Sequence, residues 1–400
     1  MIKNYKIIGY SLLLSIGFTA CSKKINVTKV FADVEKQTQL MLQEIPKVRV
    51  NKPDLVSPRS LIKGELLLVS SRDWTSGFFP GELWFINEYT NKNEWRAEAE
   101  KFTANIEKEK TNATTHDMGF KIYCSFGNGY RLTNDQHYKD VIIQSAKTLS
   151  TRFRPVTGTI RSWDHNRDRW GFPVIIDNMM NLELLFAATR LTGDSSFYKI
   201  AISHANTTIR NHFRYDYSTF HVVDYDTITG RVVKKETAQG QSDQSTWSRG
   251  EAWALYGFTV CYRETKDPQY LKYAEGAANF ILHHPNLPKD LIPYWDFNAP
   301  NIPNEPRDAS AAAVNASALY ELSLYSSNGK EYKKAADKIV KSLTDNYRSP
   351  IGQNKGWILL HSTRAKPPDS EVDVPLSYAD YYYLEALLRM TKLNEGKKLF

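Results

Sequence analysis

The feature that most constrains the fold is a helical pattern that recurs five times along the chain. In each copy an apolar, aromatic-rich helix is followed by a short turn, an aromatic residue and an amphipathic helix. A repeat at this spacing indicates units that bury their apolar faces on one another. The turns and the aromatic residues that follow them lie at 90–95, 133–138, 192–198, 265–270 and 327–332.

A sixth unit is divided between the two ends of the repeat. Residues 377–390 form an apolar, tyrosine-rich helix that has no second helix after it, and residues 31–45 form a helix that has none before it. If these two helices pair, six hairpins close into a ring, so we predict an all-α fold, an (α/α)6 barrel. An open solenoid of helical hairpins is the alternative. Residues 53–70 are predicted to be a loop, and residues 219–246 a long loop or short hairpin at the mouth of the ring.

Polar and aromatic residues gather at or just before the start of each predicted inner helix. In a ring of antiparallel hairpins all inner helices start at the same rim, where their positive dipole ends face one pocket. A single Asp at such a position also serves as an N-cap, but six repeats of the placement favour a shared site. The residues concerned are Trp74–Gly77, His116–Asp117, Asp177–Asn178, Arg249–Glu251, Arg307–Asp308 and Asp380.

Asp117 and Asp177 open neighbouring units, so we expect two carboxylates to flank the pocket. Such a pair is the usual equipment for acid–base chemistry on a sugar, with one pKa raised and the other carboxylate ionised. Arg249 and Trp253 are four residues apart and share one helix face. That pair suggests a clamp for an anion and a platform for a sugar ring, although a packed tryptophan beside a surface arginine has the same spacing.

Charge and aromatic content narrow the classes of ligand. The formal net charge is +8 and aromatic residues make up 12% of the chain, which favours anionic ligands and carbohydrate. No run of Lys or Arg supports nucleic-acid binding. His221 and Asp224 have no further His or Cys at metal-ligand spacing, so we predict no metal site. Cys124 and Cys261 are expected to be free, buried thiols.

The N-terminus has the pattern of an export signal. Lys3 and Lys6 precede an apolar run over 7–18, and small residues lead to Cys21. This resembles a bacterial lipoprotein signal, with an ordinary secretory signal as the alternative. We therefore predict a signal peptide over 1–20, lipidation at Cys21, a tether over 21–30 and a single catalytic domain over 31–400. The absence of an acidic run after Cys21 favours a membrane-anchored protein that faces the periplasm of a Gram-negative bacterium.

Several segments together resemble the unsaturated glucuronyl hydrolases of glycoside hydrolase family 88. They span roughly residues 70–390 in the family's order and spacing, and each is weak alone. The resemblance implies an (α/α)6 barrel, which agrees with the ring inferred from the repeat. The matching segments are 74–81 (WTSGFFPG), 116–120 (HDMGF), 176–181 (IDNMMN), 239–240 (QG), 247–253 (WSRGEAW) and 378–382 (YADYY).

What the resemblance implies is the hydrolysis of a 4,5-unsaturated uronic acid from the non-reducing end of lyase products. Asp177 would protonate C4 and then help to deprotonate the water that adds at C5, while Asp117 would be the second carboxylate. No metal or organic cofactor is implied. The substrate-binding positions are expected to be Trp74, His116, Trp163, His221, Thr237, Gln239, Arg249, Trp253 and Ser362.

The loop before the last inner helix departs from the family pattern. Sulfate-tolerant members carry a serine- and lysine-bearing loop there, and residues 361–366 (HSTRAK) match it only in part. Together with the positive charge, this predicts activity on sulfated disaccharides from heparin, heparan sulfate or chondroitin. Two alternatives remain at this point: an unsaturated rhamnogalacturonyl hydrolase that acts on pectin fragments, and a non-catalytic glycan-binding lipoprotein.

Overall fold

Two concentric rings of helices dominate the computed structural model, which describes residues 25–400. Even-numbered helices form the inner ring and, except for the short α4, are buried on nearly all sides, whereas odd-numbered helices expose one face to solvent. Within residues 25–400 the α-helices are α1 (Val27–Arg49), α2 (Phe78–Thr90), α3 (Asn93–Ala104), α4 (Asn128–Thr133), α5 (Gln136–Ser150), α6 (Leu182–Thr192), α7 (Ser195–Asn211), α8 (Ser248–Thr265), α9 (Pro268–His283), α10 (Ala309–Leu322), α11 (Gly329–Asn346) and α12 (Ser377–Asn394).

The turn that joins inner to outer helix has the same form in three hairpins, which explains the repeat in the sequence. A residue in the left-handed conformation ends the inner helix, and the next residue, an aspartate, caps the outer helix by accepting a backbone N–H. The preceding threonine hydroxyl accepts the N–H of that aspartate. The three turns are Thr133–Asp135, Thr192–Asp194 and Thr265–Asp267.

The ring closes through α1 and α12, as predicted. The inner helix α12 packs against both α10 and α2. In the outer ring, α1 fills the gap between α3 and the segment that follows α11. Phe31 of α1 stacks on Tyr89 with ring centroids 3.8 Å apart, and Asp33 pairs with Arg348 at 3.0 Å. The open solenoid is therefore excluded.

Short strands surround the rim. Residues 53–70, predicted to be a loop, instead contain an antiparallel hairpin of β1 (Leu55–Ile62) and β2 (Glu65–Ser70), because alternate residues such as Leu66 and Leu68 are buried. A second hairpin pairs β3 (Phe153–Arg154) with β4 (Thr159–Ile160). A three-stranded antiparallel sheet contains β5 (Pro173–Ile175), β6 (Val222–Tyr225) and β7 (Val232–Glu236), so residues 219–246 include a hairpin.

Two inner helices begin irregularly at the rim. A π-helix over Gly119–Gly127 leads into α4, and a 3₁₀-helix over Ile176–Asn181 leads into α6. These two starts approach each other closely: a Cβ on Gly119 would lie 2.7 Å from the Cα atom of Asn181, and Phe120 donates its N–H to the Asn181 side chain at 3.1 Å. Asp117 and Asp177 stand just before and within these irregular turns, so the contact brings their segments together.

Part of the N-terminal prediction lies outside the described residues. The signal peptide over 1–20 and the lipidation of Cys21 stay predictions. Helix α1 begins at Val27, so the end of the predicted tether over 21–30 is helical. No helix in residues 25–400 is both long enough and apolar enough to span a bilayer. Cys124 and Cys261 are free and buried.

Candidate active site

Strand pairing places Asp177 beside His221. Ile175 of β5 lies opposite Val222 of β6, and the next residue, Ile176, donates its N–H to the carbonyl of His221 at 3.0 Å. The chain then turns into the 3₁₀-helix, so the side chain of Asp177 faces the His221 ring. Oδ2 of Asp177 lies 3.7 Å from Nε2 of His221, and neither atom has a hydrogen-bond partner among residues 25–400.

The environment of His221 fixes its tautomer. Its Nδ1 atom faces the backbone N–H groups of Ala238 and Gln239, at 3.2 and 3.3 Å, and the hydroxyl of Thr237 at 3.3 Å. A nitrogen that accepts these bonds carries no proton, so the proton of the neutral ring is on Nε2, on the side of Asp177. Burial, together with the charge of Arg249, lowers the pKa of His221 to about 3. The ring is therefore a neutral donor.

Asp177 is a buried carboxyl group with a raised pKa. Burial raises the pKa to about 6, and the charge of Asp117 adds to this effect, while the charges of His116 and Arg249 oppose it. The side chain is 10% exposed. A carboxyl group with this pKa is protonated in part near neutral pH, which is the state that a general acid needs.

Asp117 has the opposite character although it is also enclosed. Burial opposes its ionisation, but the charge and hydrogen bond of His116 and a hydrogen bond from Thr115 together hold its pKa below the usual value. Nε2 of His116 lies 3.1 Å from Oδ1, and the Thr115 hydroxyl donates to Oδ2 at 2.6 Å. The pKa of Asp177 is thus raised and that of Asp117 is lowered, so the two carboxyl groups ionise in different pH ranges. Their catalytic roles stay a prediction.

Both carboxylates border one cavity of about 550 Å³ at the rim of the barrel. Trp74 and Trp163 line it, as do His116, Gln239 and Arg249, so seven predicted site residues meet there once both carboxylates are counted. Trp163 stacks against His165 with ring centroids 5.3 Å apart. The cavity therefore combines aromatic walls with an acid–base pair, a lining suited to a hydroxylated ring.

Basic residues outnumber acidic ones in the cavity lining. Four arginines face two carboxylates. Arg72 and Arg169 were not predicted because they lie in loops with no recognisable motif, whereas Arg364 lies in the 361–366 segment, where the prediction fell on Ser362 instead. Arg364 is half-buried, while Arg72 and Arg169 are exposed. Three of the four arginines pair with carboxylates outside the lining, Arg249 with Asp308, Arg169 with Glu236 and Arg364 with Glu371. The cavity wall itself still presents more cationic than anionic side chains, which favours an anionic ligand. The four residues are Arg72, Arg169, Arg249 and Arg364.

Arg249 differs from the predicted clamp. Its Nη1 atom donates to Asp308 at 2.6 Å and to the carbonyl of Thr363 at 2.7 Å, and its Nη2 atom donates to the carbonyl of Arg364 at 2.6 Å. Most of its donors are therefore used within the protein. Arg249 holds the 363–364 segment at the rim, and it contributes its charge to the cavity.

Trp253 does not form the predicted platform. The ring is fully buried and packs against Phe120 and Tyr382, with ring centroids 5.2 and 5.6 Å away, beneath the cavity rather than on its surface. Two other predicted ligand-binding residues also lie behind the surface. Thr237 contacts His221 and therefore positions that ring. Ser362 is buried in a bridge to Val374, and its hydroxyl has no partner among residues 25–400.

Comparison with known proteins places this geometry in a family. The sequence profile described as Glycosyl Hydrolase Family 88 matches residues 63–396. The chain is 49% identical over 370 residues to an unsaturated glucuronyl hydrolase of Formosa agariphila, covering 92% of this chain and 91% of that protein. It is 32% identical to an unsaturated chondroitin disaccharide hydrolase of Streptococcus pneumoniae, covering 81% of this chain and 83% of that protein.

Solved structures agree with the sequence relatives. A crystal structure of an unsaturated glucuronyl hydrolase specific for heparin has a TM-score of 0.87 and 44% identity, with 92% of this chain and 98% of that chain covered. The unsaturated glucuronyl hydrolase from Bacillus sp. GL1 has a TM-score of 0.84 and 29% identity, with 92% and 97% covered. The fold, the profile and the relatives agree, and the chain is a glycoside hydrolase that belongs to Glycosyl Hydrolase Family 88.

Proposed function

We propose that this chain removes the 4,5-unsaturated uronic acid from the non-reducing end of glycosaminoglycan oligosaccharides produced by lyases. The observation that carries the proposal is the Asp177 carboxyl group. It is buried, its pKa is raised to about 6, and its Oδ2 atom has no partner among residues 25–400 at the edge of an arginine-rich cavity. A proton donor at carbon and a cationic site for a carboxylate are the two requirements of an unsaturated uronate.

The proposed reaction is the hydration of a vinyl ether. Protonated Asp177 delivers its proton to C4, and the positive charge that develops at C5 is shared with the ring oxygen. Water adds at C5, and the Asp177 carboxylate takes a proton from that water, which restores the acid. The hemiketal opens by breaking the bond between C5 and the ring oxygen, which gives a ketone at C5 and a hemiacetal at C1. The hemiacetal then breaks down to an aldehyde, and the C1–O bond to the neighbouring sugar is cleaved, which releases that sugar with the proton on its oxygen. One group thus acts as acid and then as base.

Two neighbouring residues support Asp177 in this scheme. Asp117 stays ionised, so its charge disfavours ionisation of Asp177 and its oxygens accept substrate hydroxyls. His221 is neutral and presents its Nε2–H on the side of Asp177, where it orients the carboxyl group and the attacking water. Neither role requires a metal or an organic cofactor.

Sulfated substrates stay part of the proposal, but we expect residues other than Ser362 and Lys366 to contact the sulfate group. Ser362 is buried, and Lys366 pairs with Glu305, so the partial loop match does not supply the sulfate contacts. Arg364, Arg72 and Arg169 line the cavity instead. The relatives named for heparin and for chondroitin disaccharides support a glycosaminoglycan substrate. A pectin-directed activity is disfavoured, because relatives at 49% and 44% identity are named as unsaturated glucuronyl hydrolases.

A panel of defined unsaturated disaccharides tests the proposal. The purified chain is incubated with sulfated and unsulfated heparin, chondroitin and rhamnogalacturonan disaccharides, and the ultraviolet absorbance of the double bond is followed. We expect loss of absorbance and release of the second sugar with glycosaminoglycan substrates. Binding without loss of absorbance contradicts the enzymatic proposal and supports a glycan-binding protein. A preference of about tenfold or more for the unsulfated disaccharide contradicts the sulfate part alone, since one charge-assisted contact is worth about that factor.

We also propose export and lipidation at Cys21, because a charged start and an apolar run precede that cysteine. Metabolic labelling with a fatty acid tests this, together with fractionation of cells that express the full chain. The wild type should be labelled and sediment with membranes. Cys21→Ser should be unlabelled, because it has no thiol to which the lipid can be attached. Equal labelling of both proteins contradicts the proposal.

A further inference from the structure

A second charged cavity lies behind one wall of the active site. It has a volume of about 460 Å³ and is separated from the active-site cavity by the segments 112–115 and 161–172. Neighbouring residues of these segments face opposite sides. Ser162 and Trp163 line the active-site cavity, whereas Ala113, Arg161 and Asp164 line the second one. The two cavities are therefore adjacent but distinct.

The second cavity has an excess of positive charge. Three arginines line it, Arg152, Arg154 and Arg161, and Asp164 is the one carboxylate among its lining residues. Arg152 donates to both oxygens of Asp164, at 2.9 and 3.2 Å. Asp224 lies near the cluster, but its carboxylate accepts the N–H groups of residues 171 and 172. The acidic groups are thus already bonded elsewhere.

Arg161 has a carboxylate nearby but no hydrogen-bond acceptor among the described residues. Its guanidinium makes no hydrogen bond with any of residues 25–400, and its Nε atom is buried. That atom lies 3.3 Å from Oδ1 of Asp164, but not in hydrogen-bond geometry. Burial and the charges of Arg167 and Arg152 lower the pKa of Arg161, although Asp164 opposes this shift. An unpaired donor in a cationic cluster is costly unless an anion satisfies it.

Arg154 extends the same surface. It is exposed at the edge of the β3–β4 hairpin, and its side chain forms neither a salt bridge nor a hydrogen bond within the described chain. The Arg161 guanidinium lies over the ring of Phe172, with its carbon 5.8 Å from the ring centre. That aromatic contact orients a fork of donors that matches the oxygens of a sulfate or carboxylate.

We propose that the second cavity binds a sulfate or carboxylate group, with Arg161 and Arg154 as its donors. The site is separate from the proposed hydrolytic function and does not depend on turnover. Its ligand comes from one of two sources that share this chemistry: a free inorganic anion, or an anionic substituent on a saccharide. The two sources are separated by the experiment.

Calorimetric titration at fixed ionic strength tests the proposal. Sodium sulfate is one probe, and a saturated, sulfated disaccharide is the other, because it lacks the double bond and is not consumed. The variants are the double substitution Arg161→Gln with Arg154→Gln, the conservative Arg161→Lys, and two matched controls. Arg96→Gln removes an exposed arginine of α3 that pairs with Glu100, and Arg364→Gln removes an arginine of the active-site cavity. Circular dichroism verifies that each variant folds.

We expect the wild type to bind at least one probe, and the double variant to bind that probe about tenfold more weakly or worse, because charge-assisted hydrogen bonds are lost. Arg161→Lys should fall between them, and Arg96→Gln should match the wild type. Binding of sodium sulfate identifies a free anion as sufficient; binding of the saccharide alone identifies the substituent. Equal affinity in the wild type and the double variant overturns the proposal. So does a loss seen only with Arg364→Gln, or the absence of saturable binding of either probe.

Discussion

The two ends of the barrel contain the same residue types and use them differently. At the end opposite the rim, Arg263 donates to Glu183, Glu264 and Glu321, and Arg389 pairs with Glu321 and Glu385. Every one of these carboxylates has a cationic partner. At the rim, Asp177 and His221 face each other across 3.7 Å without a hydrogen bond from Oδ2 or Nε2 to any described residue. Burial is common to both ends. Glu82 and Glu251 are also buried without an ion pair in the described chain and have raised pKa values, but neither lines the cavity. What distinguishes Asp177 is therefore an unbonded oxygen together with a position on the cavity wall.

The largest expected effect is on activity at the rim. Asp177→Asn keeps the shape of the side chain but removes the transferable proton. General acid catalysis alone predicts a loss of about 10²–10⁴-fold in kcat. The measurement is the rate of absorbance loss with an unsaturated disaccharide, with Asn178→Ala as a neighbouring control. Equal rates for Asp177→Asn and the wild type contradict the assigned role.

The same substitution should act on stability in the opposite direction. The pKa of Asp177 is raised to about 6, so the native protein holds this proton more tightly than the unfolded chain does, and ionisation costs stability above the unfolded pKa. Asp177→Asn should therefore raise the free energy of unfolding at pH 8, by at most about 3 kcal/mol. The gain should vanish below about pH 4. Chemical denaturation at both pH values measures it, and an equal or lower stability at pH 8 contradicts the unpaired burial of this group.

At the opposite end, removal of a charge should affect stability and not catalysis. Arg263→Met leaves Glu183 and Glu321 enclosed without that partner, which predicts a loss of about 3–5 kcal/mol in the free energy of unfolding. kcat of the folded fraction should stay at the wild-type value. The control Arg96→Met removes an exposed arginine with a surface partner and should change stability by less than about 1 kcal/mol. A large fall in kcat for folded Arg263→Met would remove the contrast between the two ends.

A smaller effect on kcat is expected for Thr237, which helps to orient the His221 ring but does not line the cavity. Thr237→Val removes the hydroxyl that lies 3.3 Å from Nδ1 of His221 but leaves two backbone donors in place. The loss of one hydrogen bond predicts a reduction of about two- to tenfold in kcat with little change in KM. Thr237→Ser should restore the wild-type rate. A change in KM alone indicates that Thr237 contacts substrate, as the sequence first suggested.

The ring and the positions of its two rim carboxyl groups were predictable because the helical unit repeats. Each Thr-x-Asp turn ends one helix and caps the next, so the local sequence determines where each hairpin turns. Because the hairpins follow one another around the ring, Asp117 and Asp177 lie at the same rim. Strand pairing between β5 and β6 then supplies what the repeat does not: the position of His221 beside Asp177.

The orientation of individual side chains was less predictable. The i, i+4 spacing places Arg249 and Trp253 on one helix face, but it does not show which side chains from neighbouring helices cover that face. In the structure, the aromatic rings of Phe120 and Tyr382 cover Trp253. Arg72 and Arg169 were not predicted because loop residues meet through tertiary contacts that no local pattern encodes. In the 361–366 segment the prediction fell on Ser362, but it is Arg364 that lines the cavity. Residues 53–70 were predicted to be a loop but form the β1–β2 hairpin. The burial of alternate residues in β2 depends on tertiary packing against α1, which the local sequence does not show.

The pH dependence of kcat/KM tests the central claim most directly, namely that Asp177 is the proton donor because its buried carboxyl group lines the cavity and its Oδ2 atom has no partner among residues 25–400. His221 has a pKa of about 3 and Asp117 has a lowered pKa, so neither titrates near neutral pH. We predict that kcat/KM is constant just below pH 6 and falls about tenfold per pH unit above the pKa of Asp177, about 6. A kcat/KM that stays flat from about pH 5 to about pH 8 would contradict the account.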